Sequence, residues 1–168
     1  MAEALRLWRK VRALLDGVPE SQEAAALGVL ARVGMLRLGY RLGISEEEVA
    51  ALVAEGKALA QRAGDVRSLA AILTQSGASA LMAGELRKAL DLYQEATEAA
   101  ESAGDIGIKL WVQVGQILTY LVAGQLPAAL VLAEEALALT GDDPDMGSSV
   151  FGRSTYANLL WIRGWVRA

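Results

Sequence analysis

Apolar residues recur every three or four positions along nearly the whole chain, and the pattern breaks at Gly17-Val18-Pro19, Gly43, Gly64-Asp65, Gly84, Gly104-Asp105, Gly124 and Gly141-Asp142. That spacing places side chains on one face of an α-helix. It predicts helices over Ala2 to Asp16, about Glu20 to Leu42, Ser45 to Ala63, about Val66 to Ala83, Glu85 to Ala103, Ile106 to Ala123, Gln125 to Thr140, and about Val150 to the end. In the first, Leu7, Val11, Leu14 and Leu15 make the apolar stripe and Arg6, Arg9 and Lys10 the polar one. Ser45 with Glu48 three residues on reads as a capping box, and Gly43 just past Leu42 as a helix stop. No run alternates over a strand's length between hairpin turns, which makes the chain all-α. Connections of about two to six residues force each helix antiparallel to its neighbour.

The pattern also repeats. Gly84 to Ala96 reads GELRKALDLYQEA, and Gly124 to Ala136, forty residues later, reads GQLPAALVLAEEA, with seven of the thirteen positions identical. The kept pairs are Gly84/Gly124, Leu86/Leu126, Ala89/Ala129, Leu90/Leu130, Leu92/Leu132, Glu95/Glu135 and Ala96/Ala136, which are turn and packing types rather than reactive ones. Gly64-Asp65 and Gly104-Asp105 recur at the same distance. Helix pairs at a fixed period predict an α-solenoid of about eight helices, in which each unit covers the apolar face of the next. The expected organisation is one domain over 1–168, with a lone helix at 1–17, units at 20–64, 65–104 and 105–142, and an incomplete unit at 148–168.

Within the unit, Gly84, Ala89, Tyr93 and Ala96 fall at the spacing of the second helix of a tetratricopeptide repeat; Gly124, Ala129, Ala133 and Ala136 follow it with alanine in place of the aromatic. Gly77 stands at the small position of the first helix, and Tyr40, Ala80 and Tyr120 at its aromatic position. The chain thus resembles a tetratricopeptide-like (TPR-like) array, strongly over Leu69 to Ala138. Ala4 and Trp8 of the first helix match Ala89 and Tyr93, whereas Val49 and Val53 depart from the pattern, and Gly-Asp closes each unit where the family uses proline. The forty-residue unit is similar to the longer variety in large bacterial signalling and transcription regulators. The resemblance implies a non-catalytic protein–protein interaction domain, expected here as a piece of a longer protein, with two alternatives: a self-associating structural domain, or a ligand-sensing solenoid coupled to a separate cyclase, kinase or ATPase module. In this family the first helices line a concave groove, which places a partner-binding surface at Thr74, Ala78, Leu81, Trp111, Val114, Leu118 and Leu121.

Composition narrows the chemistry. The chain has no cysteine and no histidine, which removes disulfides, thiol nucleophiles, zinc-thiolate sites and histidine-based catalysis together. No enzyme activity, cofactor or metal is therefore expected. A net charge of −4 argues against a nucleic-acid footprint. Apolar residues make up 54% and mean hydropathy is +0.31, so either the core is rich in alanine and leucine or apolar surface awaits a partner. The amino terminus interleaves charge and lacks a signal peptide's apolar run, making the cytoplasm the expected location. Leu110 to Ala133 is uncharged over 24 positions, but Gln113, Gln116, Gln125 and Pro127 interrupt it, and it reads as two helices and a turn rather than a membrane span. The partner expected of the apolar groove is a hydrophobic or helical peptide, or a second copy of the chain.

Other motifs carry less. Trp161 and Trp165, four apart on the last helix, read as core or as a seam to a further repeat. Asp142, Asp143 and Asp145 lack the closing acid of a calcium loop, Ser154 standing there. Gly56-Lys57-Ala58 lacks the rest of a phosphate loop. Arg6, Arg9, Lys10 and Arg12 read as a solvated face, and adjacent Glu134 and Glu135 point different ways around a helix.

Overall fold

A computed structural model describes residues 1–19, 21–147 and 154–167, together forming eight helices and no strand among the described residues. They are α1 (Ala2–Leu15), α2 (Gln22–Leu42), α3 (Glu46–Ala63), α4 (Val66–Met82), α5 (Leu86–Ala103), α6 (Ile106–Val122), α7 (Leu126–Thr140) and α8 (Thr155–Arg167). The expected first turn of the last helix, residues 150–153, and the side chain of Tyr40 lie outside the described residues.

Local chemistry sets the helix ends. Ser21 Oγ accepts from the Ala24 N–H at 3.0 Å and Ser45 Oγ from the Glu48 N–H at 3.2 Å. The Glu48 side chain does not close the expected capping box, because Arg9 of α1 binds its carboxylate at 2.8 and 3.0 Å. Two turn designs then recur forty residues apart. In one, Asp65 and Asp105 accept from Ser68 and Ile108 N–H, each at 3.0 Å. In the other, Gly84 and Gly124 take φ of +79° and +72°, and the next N–H, from Glu85 or Gln125, donates back to Ala80 or Tyr120 at 2.9 and 2.8 Å. The third Gly-Asp pair breaks the series: Asp142 itself turns left-handed at φ +62°, and its carboxylate accepts from the Tyr156 hydroxyl at 3.4 Å.

Each helix packs on the next in sequence, and the even-numbered ones pack in series as well, α2 on α4, α4 on α6 and α6 on α8. Burial is divided among three apolar clusters. One joins α1 to α4 around Leu36, Leu52 and Ile72, one joins α4 to α6 around Leu73, Tyr93 and Val112, and one joins α6 to α8 around Ile117, Ala133 and Leu159. Leu69 packs against the first and second clusters, and Leu118 against the second and third. The uncharged run from Leu110 is broken by the Gly124 turn, and no helix among the described residues is long and apolar enough to cross a membrane.

The buried face of α1 differs from expectation. Leu5 is buried, with Trp8, Val11 and Leu15 half-buried, whereas Leu7 and Leu14 are 50% and 64% exposed. The reason is Trp8: its ring lies over Gly34 of α2, where an added Cβ would come within 2.5 Å of it, and this sets the rotation of the helix. Tyr93 does the same between α4 and α6. It is 1% exposed, a Cβ on Gly77 would approach its ring to 2.9 Å, and one on Gly115 would fall inside its van der Waals surface.

Gly115→Ala is therefore expected to cost about 1–3 kcal/mol of stability by overpacking. In a Tyr93→Leu background the same change should be neutral or stabilising by up to about 1 kcal/mol, the helix-propensity gain of alanine over glycine. A double-mutant cycle in urea denaturation reads the coupling, and additive effects would contradict the contact. Burial also pushes the Tyr93 phenol above its ordinary value of 10.0. The folded state then keeps a proton that the unfolded state releases, so this contribution is complete below about pH 10 and declines above it, by at most about 1.4 kcal/mol per pH unit. Tyr93→Phe should lose that part of the alkaline slope, measured as the difference between the two proteins' stability curves from pH 9 to about 11.

Candidate functional site

The seven groove residues sit on α4 and α6 as expected, but they do not share one surface. Thr74, Leu81 and Val114 are buried, and the Thr74 hydroxyl donates to Ala70 O at 2.6 Å. Leu81 belongs to the α4–α6 cluster and Val114 to the α6–α8 cluster. Trp111, half-buried, packs against the α1–α4 cluster, and Leu118 and Leu121 against the later ones. Ala78, Trp111, Leu118 and Leu121 are the positions that keep accessible area.

Trp161 and Trp165 are not core. They are 61% and 58% exposed and stack in parallel with ring centroids 6.1 Å apart, while Leu159 and Ile162 of the same helix are buried. Arg163 and Arg167 of the same helix pair with Glu134 of α7. In the loop after α7, Asp143 Oδ1 accepts from the Asp145 N–H at 2.9 Å, a local turn, and no group of acidic residues among the described residues is arranged to hold a metal. Gly56 lies buried inside α3 against Ile72, which excludes a phosphate loop there.

An ionic cluster that the periodic pattern does not reveal ties the first three helices together. Glu55 of α3 binds Arg32 of α2 at 2.7 and 2.9 Å through one carboxylate oxygen and Arg12 of α1 at 2.6 Å through the other. Arg32 is 5% exposed and also donates to Gly28 O at 2.9 Å. Arg9–Glu48 runs parallel to it on the surface. Arg9 and Arg12 of α1 thus pair with α3, while Arg6, Arg9 and Lys10 remain exposed, as expected of a solvated face. The signal for Arg32 was a lone cation inside the apolar run Val29 to Met35, with no acid at helical spacing to absorb it locally.

Beside this cluster a cleft of about 450 Å³ opens between the α1–α2 turn, the start of α2 and the end of α3. Leu15, Val18, Ala24, Ala25 and Leu59 give it apolar walls; Arg32 lines it, with Asp16 and Arg62 as further charges among the described residues. A second, shallower depression runs over Tyr120, Pro127 and Val131. No known family model matches the chain, and no curated protein matches it in sequence.

Glu55→Leu should cost about 2–3 kcal/mol, because it leaves a nearly buried guanidinium with a carbonyl as its remaining partner among those described; partial exposure of Glu55 keeps this below the fully buried range. Adding Arg32→Met should recover most of the loss in urea denaturation, and a double variant no more stable than Glu55→Leu would contradict the pairing.

Proposed function

We propose that the chain is a non-catalytic scaffold of TPR-like units that acts by protein–protein contact within a larger bacterial signalling or transcription regulator. The observation that carries this reading is the recurrence of one helix pair with identical turns: Ala83-Gly84-Glu85 and Ala123-Gly124-Gln125 make the same three backbone hydrogen bonds, and the packing of α2, α4 and α6 in series is what a solenoid requires. Tyr93 between Gly77 and Gly115 supports it, since that is the aromatic-into-small-residue fit the resemblance implies. The chemistry on view is packing chemistry, with neither histidine nor cysteine to act as nucleophile or base. The partner is a hydrophobic or helical peptide, met by the accessible remainder of the groove, Ala78, Trp111, Leu118 and Leu121.

Ala78→Arg and Leu121→Glu place charge at half-buried groove positions, and Val122→Glu places it at an exposed position as a control. Partner capture by the first two, compared at equal concentrations of folded protein, should fall at least about tenfold, roughly 1.4 kcal/mol, with the control unaffected. Equal capture by all three would overturn the groove.

A further inference from the structure

We infer that the outward side of α8 pairs with the same side of a second copy of the chain, in a two-fold dimer held by an antiparallel α8–α8 contact. This surface is separate from the groove on α4 and α6 and independent of that reading. Ala157, Trp161, Gly164 and Trp165 are all exposed. At 3.6 residues per turn they share one side of the helix, away from the buried Leu159 and Ile162. A surface helix ordinarily carries polar residues there, whereas α8 carries two rings and two small residues, and its Arg163 and Arg167 are paired with Glu134 of α7.

That side holds both halves of the contact that closes this fold. Trp8 sits over Gly34, and Tyr93 over Gly77 and Gly115, each ring seated where the facing helix has no side chain. Gly164 is a seat of the same kind left open: a Cβ there would meet nothing within 4 Å among the described residues, and its backbone is helical, so no turn requires glycine. It lowers helix propensity without a contact inside the chain to offset it. A surface that carries ring and seat together is self-complementary, as a two-fold interface requires. In an antiparallel pair centred between Ile162 and Arg163, Trp161 of each copy falls level with Gly164 of the other, and Trp165 with the half-buried Leu160. The 6.1 Å stacking of Trp161 on Trp165 orders both rings before a partner arrives.

Area sets the strength of the pair. An aromatic side chain carries up to roughly 250 Å², so rings 61% and 58% exposed offer roughly 300 Å² per copy and roughly 600 Å² across the pair. Stable assemblies bury about 1,200 Å² or more, which makes this a weak, reversible dimer.

Sedimentation equilibrium of the full chain between about 10 µM and about 1 mM tests it. A monomer–dimer equilibrium with nothing larger is expected. Replacing both rings, Trp161→Gln with Trp165→Gln, should weaken the dimer at least tenfold. Gly164→Leu adds apolar surface and helix propensity yet closes the seat, so it should weaken the dimer at least fivefold at an unchanged or higher monomer melting temperature. Val131→Gln, at a position on α7 that is also 61% exposed, should change nothing. A chain monomeric at about 1 mM would overturn the second copy as occupant and leave this side of α8 to a helix of another protein. Undiminished dimer in the double tryptophan variant, tighter pairing by Gly164→Leu, or species growing beyond the dimer as in a head-to-tail array would each overturn it as well. None of these outcomes depends on the groove variants.

Discussion

The structure depends on how closely its helices approach, and aromatic rings seated on glycine set that distance. Tyr93 of α5 reaches Gly77 in α4 and Gly115 in α6, and Trp8 of α1 reaches Gly34 in α2. A ring of this size buried between two helices brings a large apolar contribution, but only where the facing residue has no side chain. The glycines therefore lower helix propensity by about 1 kcal/mol each in exchange for a contact no other residue permits. In the last unit Ala133 stands where Tyr93 did, and its cluster is filled instead by Ile117, Leu159 and Ile162. The helix frame survives because the turns, not the ring, set its connections.

Those turns also explain what the amino-acid order makes legible. Seven of the eight helices end within a residue or two of the expected positions, because Gly, Asp and Ser act through neighbours three to five residues away. Rotation about each helix axis is decided by distant residues and was less legible. In α1 the apolar set is broad enough to offer several stripes, and Trp8 over Gly34 chooses the one containing Leu5. The same holds for the groove, where family position marks a surface but α6 and α8 pack close enough to bury Val114, and α5 close enough to bury Leu81. The role of Arg32 is not written in its local sequence, because its partner is 23 residues away on another helix.

The copies differ most on their outward faces. At corresponding positions α5 exposes Arg87, Lys88 and Asp91 where α7 has Pro127, Ala128 and Val131. Along the chain, charge links the early odd-numbered helices, through Arg12–Glu55 and Arg9–Glu48 between α1 and α3 and Lys57–Glu95 between α3 and α5. Between α7 and α8 the link is Glu134 with Arg163 and Arg167, beside the exposed Trp161 and Trp165.

This division has an energetic consequence. Stacked units contribute nearest-neighbour terms, and a chain with three separate clusters would open them one at a time if nothing were shared. Leu69 and Leu118 each pack against two clusters, and Tyr93 contacts α4 and α6 at once, so opening the middle cluster strips apolar area from both neighbours. The outer clusters lack that double support: the first adds an ionic tie through Arg12, Arg32 and Glu55, and the last holds α8 by Leu159, Ile162 and the Glu134–Arg167 pair. A surface pair such as Glu134–Arg167 contributes little beside a nearly buried guanidinium. The middle pair of helices is therefore the best-supported part of the array, and the α8 end, with its stacked tryptophans in solvent, the least.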